Sequence, residues 1–369
     1  MNPQEQFCPN ESCADRGKVD NGNIVSHSQK EKRCKCTTCG KTFSMTSGTA
    51  LHGIKKSHQL FIIVTTLLAF GCPVQAIVMA FGLDERTVRA WLLKAGNQSQ
   101  RVHEYIIGQS QLDLGQVQAD EIKVKTQRGT IWMALAMMVS TRLWLGGVIS
   151  PRRDKALISA LADKIRGVAL CRSLLLAVDG LSSYVDALRK AFRTPLRLGQ
   201  RGRPRLIAWN TIHIVQVVKQ RTSDGLSIQR RIVQGCETII AHLLQQSQNG
   251  GVINTAFIER LNATFRQRLA GLTRRTRHLT RKAETLQAGM FLVGTVYNFC
   301  SPHKSLRLKL WIGERRYRWV QRTPAMAAGL TDHHWTMAEL LGYKIAPPPY
   351  VPPKRRGRKP KPPVLEAIS

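Results

Sequence analysis

The chain has 369 residues, with 56 Lys and Arg against 23 Asp and Glu, and a formal net charge of +33 at pH 7. Its 43% hydrophobic content is that of a globular protein, which excludes bulk disorder and leaves room for two or three domains. So large a positive excess repels itself in a compact fold and is best tolerated against a polyanion, so nucleic acid leads as partner over a merely soluble basic protein.

Residues Met1 to Cys13 hold no apolar signal core, and the apolar run Leu60 to Cys72 is too short to cross a bilayer. Five of the nine cysteines crowd between Cys8 and Cys39, and the others stand singly, which is not a disulfide pattern. The expected location is the reducing cytoplasm, beside the nucleoid, with no membrane partner.

The first fifty residues are polar and cysteine-rich, with too little apolar material to fold by burial alone. Cys8-x4-Cys13 and Cys36-x2-Cys39 form two close pairs, 22 residues apart, that can hold one tetrahedral Zn2+ through four thiolates. Cys34 is left as a buried or spare thiol, because Cys34-x-Cys36 is a poor chelating spacing. Residues 1–50 are therefore expected to form a zinc ribbon.

From His58 the period becomes helical. Leu60, Ile63, Val64, Leu67 and Leu68 mark one helix ending near Gly71, and Pro73 opens a second. Asp84 reads as the N-cap of a third, with Val88, Trp91 and Leu92 inward. Three helices at this spacing over 51–100 predict a helix-turn-helix, with Arg86, Thr87 and Arg89 placed to meet DNA; an ordinary three-helix packing module is the alternative. Residues 101–115 read as a linker.

The runs Gln116–Lys125, Thr130–Val139 and Arg142–Ile149 then read as strands, followed by a helix over Asp154–Ile165 and an apolar strand, Leu174–Val178. Ile212–Val218 reads as a strand within an insertion at about 195–235, and two helices follow, over 237–246 and 254–269. The expected fold class is α/β, a mixed sheet with flanking helices over 116–310, then an extension over 311–345. The Pro- and Lys/Arg-rich tail from Ala346 to Ser369 is expected to be disordered.

Three carboxylates stand in apolar surroundings: Asp120 within the first of these strands, Asp179 at the end of Leu174–Val178, and Glu259 on a helix with Ile258, Leu261 and Phe265. Read alone, Asp179 before Gly180 suits a turn and Glu259 a solvated helix face; Glu121 falls on the opposite strand face from Asp120. Together, strand Asp, strand-end Asp and helical Glu follow the order of a ribonuclease-H-like catalytic core. Oxygen-only ligation favours Mg2+ or Mn2+, which serves phosphodiester displacement. Asn262 and Arg266 share the Glu259 face, and Arg274 and Arg275 extend a cationic stretch suited to a phosphate backbone.

These residues resemble a known family. Asp120-Glu121, Val178-Asp179-Gly180, Asn254 through Asn262, Leu272-Thr273-Arg274-Arg275-Thr276, Tyr297-Asn298-Phe299 with Pro302-His303, and Arg322-Thr323-Pro324-Ala325 resemble a bacterial insertion-sequence transposase of the DDE class. So does the cysteine block ahead of a helix-turn-helix. The resemblance spans about Cys8 to Leu341 and implies a retroviral-integrase-like fold, with Asp120, Asp179 and Glu259 as a Mg2+ triad that cleaves transposon ends and joins them to target DNA. It implies double-stranded DNA as partner and a homo-oligomer that bridges two ends. The 79 residues between Asp179 and Glu259 are many for this class, in keeping with the expected insertion. Two Arg-Gly-Arg motifs, Arg201 with Arg203 and Arg356 with Arg358, are candidate minor-groove contacts. A DNA-binding regulator with an inert core, and a metal-dependent nuclease that does not join, stay open as alternatives.

Overall fold

The computed structural model describes residues 3–127, 129–197, 199, 202–222, 225–273, 279–313 and 316–352. Arg201, Arg274, Arg275, Arg356 and Arg358 lie outside them. The chain divides into two compact units, residues 1–48 with 344–369, and residues 49–343.

In the first unit, β1 (Ile24–Ser28), β2 (Arg33–Cys36) and β3 (Thr42–Ser44) form an antiparallel sheet. Its core is small: Ile24, Phe43 and the four buried thiols of Cys8, Cys13, Cys34 and Cys36. The segment from Lys344 joins this unit. Lys344 donates to Gln6 Oε1, and the Pro347 carbonyl lies against Gly17. The expected disorder from Ala346 therefore does not extend to 346–352, and the rest of the tail lies outside the described residues.

The second unit begins with α1 (His58–Ala69), α2 (Val74–Phe81) and α3 (Glu85–Ile106). Pro73 precedes α2, Gly82 ends it at φ 58°, and Asp84 caps α3 by accepting from the Arg86 N–H at 2.8 Å. Residues 101–106, read as linker, continue α3, because Val102 and His103 are buried and His103 packs on Trp144 and Phe291. Gly96 lets α3 close on a later helix, α8 (Ala283–Thr295): a Cβ there would fall 2.4 Å from the Ala288 carbonyl oxygen.

The centre is a mixed six-stranded sheet, compatible with a ribonuclease-H-like core. It contains β4 (Gln116–Thr126), β5 (Gly129–Met138), β6 (Trp144–Ser150), β7 (Leu174–Asp179), β10 (Ile212–Thr222) and β11 (Gly225–Gln234), in the order β11-β10-β7-β4-β5-β6. β7 runs parallel to both β4 and β10, and the remaining pairs are antiparallel. Between β6 and β7 lies α4 (Lys155–Val168), after β7 comes α5 (Ser182–Ala191), and after β11 come α6 (Glu237–Gln248) and α7 (Ala256–Arg268). Ile258, Leu261 and Phe265 of α7 pack with Ile122, Val124 and Met133 of the sheet.

The expected insertion at 195–235 is divided. A small hairpin, β8 (Arg193–Leu196) and β9 (Arg205–Ala208), is a separate sheet, whereas β10 belongs to the centre, with Ile212 opposite Leu174 of β7. Val215 of β10 packs with Leu175 of β7 and with α6, which is where an apolar strand gains most from burial. A last exposed hairpin, β12 (Leu308–Trp311) with β13 (Tyr317–Val320), straddles the boundary expected at 310, with most of β12 before it and β13 in the expected C-terminal extension. No helix among the described residues is long and apolar enough to cross a membrane.

Candidate active site

Strand alternation sorts the side chains of β4. On one face Gln116 accepts from Ser247 of α6, Gln118 meets the start of α7, and Asp120 Oδ2 accepts from Asn262 Nδ2 at 2.7 Å. On the other, Glu121 accepts from the Tyr184 hydroxyl at 2.8 Å and from Arg153. Gln118, fully buried, is the joint between strand and helix. Its Oε1 accepts from the N–H groups of Phe257 and Ile258, both at 3.0 Å, and its Nε2 donates to the Asn254 carbonyl at 2.7 Å. It thus satisfies two donors that open α7 and sets Glu259 relative to Asp120 two residues along the strand. Gln118→Met, similar in length but unable to make these bonds, is expected to lower stability by about 2–4 kcal/mol, read from denaturant melts. An unchanged melt would deny Gln118 this role.

Asp120 and Asp179 come together because the last paired residues of β4 and β7 are Gln118 and Ala177, so both aspartates stand where the parallel strands part. This is the carboxyl end of the parallel strands, where open α/β sheets leave a crevice. Asp179 Oδ1 accepts from the Leu181 N–H at 3.0 Å, and Gln216 Nε2 on β10 donates to the Asp179 carbonyl at 3.1 Å, which pins the turn. At Gly180 a Cβ would press on Val218 at 3.0 Å.

Carboxylate oxygens of Asp120, Glu121 and Asp179 lie within 4.8 Å of one another. Glu121 therefore does lie on the opposite face, as alternation requires, yet its carboxylate reaches the cluster. Arg153 ties the group together, with Nη2 at 2.9 Å from Asp179 and in contact with Glu121. Glu259 faces the same cavity of about 800 Å3, which Asp120, Asp179, Arg153, Lys219, Asn262 and Arg266 also line. It is not within the tight cluster: it pairs with Lys219 and accepts from Thr255 Oγ1 at 2.8 Å.

The electrostatics are those of crowded acids. Burial, then the Glu121 charge, raises Asp120 to about 7. Burial and the Asp179 charge raise Glu121, and burial with the Glu121 charge raises the Tyr184 phenol. Glu259 goes the other way: burial opposes ionisation, but hydrogen bonds from Lys219 and Thr255 outweigh it and lower its value. Comparison with protein-family models and with curated proteins finds no match for this chain.

The donor set fits a hard divalent cation. Every ligand atom on offer is oxygen, the charges are crowded enough to raise Asp120, and Asn262 Oδ1 beside it is buried with no hydrogen-bond partner among the described residues. Without metal the crowding is a burden on the fold. Because the folded value of Asp120 exceeds the roughly 3.9 of an unfolded aspartate, its contribution to stability is fully present below about pH 4 and is lost as pH rises through 7. Asp120→Asn removes this dependence, and a flip of the Asn262 amide supplies the acceptor that the new amide needs. In metal-free buffer the variant is expected to melt a few degrees above wild type at pH 8 and level with it at pH 4. A variant less stable than wild type at pH 8 would show that the carboxylates are not in conflict.

The cysteine cluster fits zinc. The Sγ atoms of Cys8, Cys13, Cys36 and Cys39 lie within 4.8 Å of one another, with Cys8–Cys39 at 3.7 Å and Cys13–Cys36 at 3.8 Å. Four thiolates on one tetrahedral zinc have sulfurs about 3.8 Å apart, given a Zn–S bond of about 2.3 Å. Asn23 Nδ2 donates to Cys36 Sγ at 3.6 Å, while Cys34 stays outside the cluster, buried on β2.

The other expected contacts are scattered. Arg86, Thr87 and Arg89 sit in the first turns of α3, but Arg89 is ion-paired with Glu85 at 2.5 Å. Arg203 is exposed between β8 and β9, and Arg266 lines the acidic cavity. Asn262 is buried and holds Asp120. Of the other quoted motifs, Asn298 bonds both backbone groups of Trp144, at 2.9 and 2.8 Å, and Thr323 caps Pro324–Ala327. Glu121, Arg153, Lys219 and Gln118 are the site residues that sequence reasoning missed as such; for Glu121, its place beside Asp120 was the available signal.

Proposed function

We propose that the chain is a DDE-class transposase that binds double-stranded transposon ends and catalyses metal-dependent DNA cleavage and strand transfer. The observation that carries this reading is the meeting of Asp120 and Asp179 at the parting of two parallel strands, with Glu259 on α7 facing the same open cavity. The +33 charge supplies affinity for a polyanion, and Arg266 brings a cation to the acidic wall.

Mg2+ or Mn2+ held by Asp120, Asp179 and Glu259 would polarise the attacking oxygen and offset charge on the leaving one. The chain's own residues do the rest. Gln118 and Asn262 hold Glu259 and Asp120 in register, Arg153 and Tyr184 fix Glu121 against the cluster, and Lys219 holds Glu259 in an exposed pair that could open to such a cation. The cysteine unit, as a zinc ribbon, and α1 to α3, as a helix-turn-helix, recognise the ends. Two ends must be bridged, so the working form is a homo-oligomer on DNA.

A second reading, a DNA-binding regulator with an inert core, draws on Arg153 and Lys219, which already pair with Glu121, Asp179 and Glu259 without metal. The deciding experiment incubates the full chain and Mg2+ or Mn2+ with a duplex bearing the DNA that flanks its gene, together with a target plasmid. Joined product supports transposition. Cleavage without joining identifies a nuclease, and binding without cleavage under either metal identifies the regulator.

A further inference from the structure

α7 borders a second cavity. Glu259, Asn262, Ala263 and Arg266 line the acidic one, whereas Arg260, Leu261 and Thr264 line another of about 470 Å3. At 100° per residue these sets fall on opposite flanks of the helix, on either side of an exposed ridge formed by Arg260, Ala263 and Gln267. Among the described residues no carboxylate lines the second cavity, whose polar wall is completed by Arg142, Tyr297, His303 and Lys304.

One of its cations is built in. Arg142, in the turn between β5 and β6, holds a left-handed φ of 60°, which places its guanidinium 3.8 Å over the Phe257 ring. Arg268, which does not line the cavity but acts on Tyr297 and His303 of its wall, lies 4.4 Å over the Phe70 ring, and its Nη1 is buried with no hydrogen-bond partner among the described residues. Burial lowers both arginines. The Tyr297 and His303 rings meet edge to face at 4.5 Å, and both groups feel Arg142, Arg260 and Arg268. Burial, with those three charges, holds His303 at about 4, so at neutral pH it adds no charge of its own.

Guanidinium groups withdrawn from water without a counter-charge are costly, and an incoming anion offsets that cost. Planar guanidiniums beside an ammonium suit a phosphate, which accepts several charge-assisted bonds at once. We propose that this cavity binds a phosphate group, gripped by Arg142, Arg260 and Lys304. Resting on the transposase reading, its source is a DNA strand that crosses the α7 ridge, with one phosphodiester at Asp120 and Asp179 and another held here. A free phosphate or phosphate ester would use the same chemistry.

The test uses the full zinc-loaded chain without Mg2+, so that catalysis plays no part. Wild type, Arg260→Gln/Lys304→Gln and a distant control, Arg172→Gln, are melted with increasing inorganic phosphate at constant ionic strength. Duplex affinity is then measured from 50 to 300 mM salt. Arg260 and Lys304 are exposed, so their loss does not threaten folding.

Phosphate is expected to raise the melting temperature of wild type and control but not of the double variant. Duplex affinity of the double variant should fall about tenfold or more, with a salt slope lower by about 2. If the phosphate response is lost while the slope is unchanged, the cavity takes free phosphate instead. An equal response in all three proteins, or none in wild type together with an unchanged slope, overturns the proposal. Failure of wild type to bind duplex at all would count against the transposase reading, while the phosphate melts still decide the cavity.

Discussion

Asp179→Asn is expected to lower metal-dependent strand cleavage and joining by at least about a thousandfold, equivalent to roughly 4 kcal/mol of lost transition-state stabilisation. The substitution is gentle to the fold. Asparagine keeps the acceptor for the Leu181 N–H, and Gln216 still holds the backbone carbonyl, so the turn after β7 survives. What is lost is one negative charge where two parallel strands part, and with it the ion pair to Arg153. Duplex affinity without metal should stay level or rise slightly, because a carboxylate facing the phosphate backbone has been removed. Cleavage at the wild-type rate by Asp179→Asn would end the reading of this cluster as catalytic.

The same assay separates the two candidate third carboxylates. Glu121 lies nearest Asp120 and Asp179, but its side chain is 0% exposed and already bonded by Tyr184 and Arg153. Glu259 is 46% exposed and its partner Lys219 40%, so that pair can open toward the cavity at little cost. Glu259 therefore suits the exchange of a lysine for a metal, and Glu121 suits holding Arg153 in place. The resemblance and this accessibility argument select the same residue, although simple proximity favours the other.

What the sequence discloses of this site follows physical lines. A charge inside an apolar strand or helix is anomalous, so Asp120, Asp179 and Glu259 announce themselves one by one. Arg153 and Lys219 do not, because a lone cation in a loop or toward a strand end resembles any solvated group; only the closing of β4, β7, β10 and the loop after β6 around one cavity gives them a role. β10 itself was legible as a strand but not as a central one. Nothing local distinguishes an apolar run in an insertion from one that pairs with β7. The C-terminal half of α3 was obscured differently: Gln98, Ser99 and His103 are polar yet buried, which breaks the hydrophobic period where the helix is most enclosed. The cysteine spacing, by contrast, is read directly, since a metal cluster needs only the right donors at the right reach.

That cluster carries the second large effect. Removing zinc with a strong chelator, or replacing Cys36 with Ala, is expected to unfold residues 1–48 of the first unit. Among the described residues, Ile24 and Phe43 are the only large apolar side chains buried in its cysteine core, with Met45 packed against them, far short of the burial that a fold of this size needs. Apparent zinc-binding energies of about 10–16 kcal/mol for four-ligand sites of this kind exceed anything those two residues provide. Hydrogen exchange would show it by region: amides of β1 to β3 should lose protection within minutes of chelation, while those of β4 and β7 keep theirs. Metal analysis should find one zinc per chain before chelation and none after. Full protection of β1 to β3 in the zinc-free chain would mean that the four thiols pack as an ordinary core, and the cluster would lose its claim to a metal.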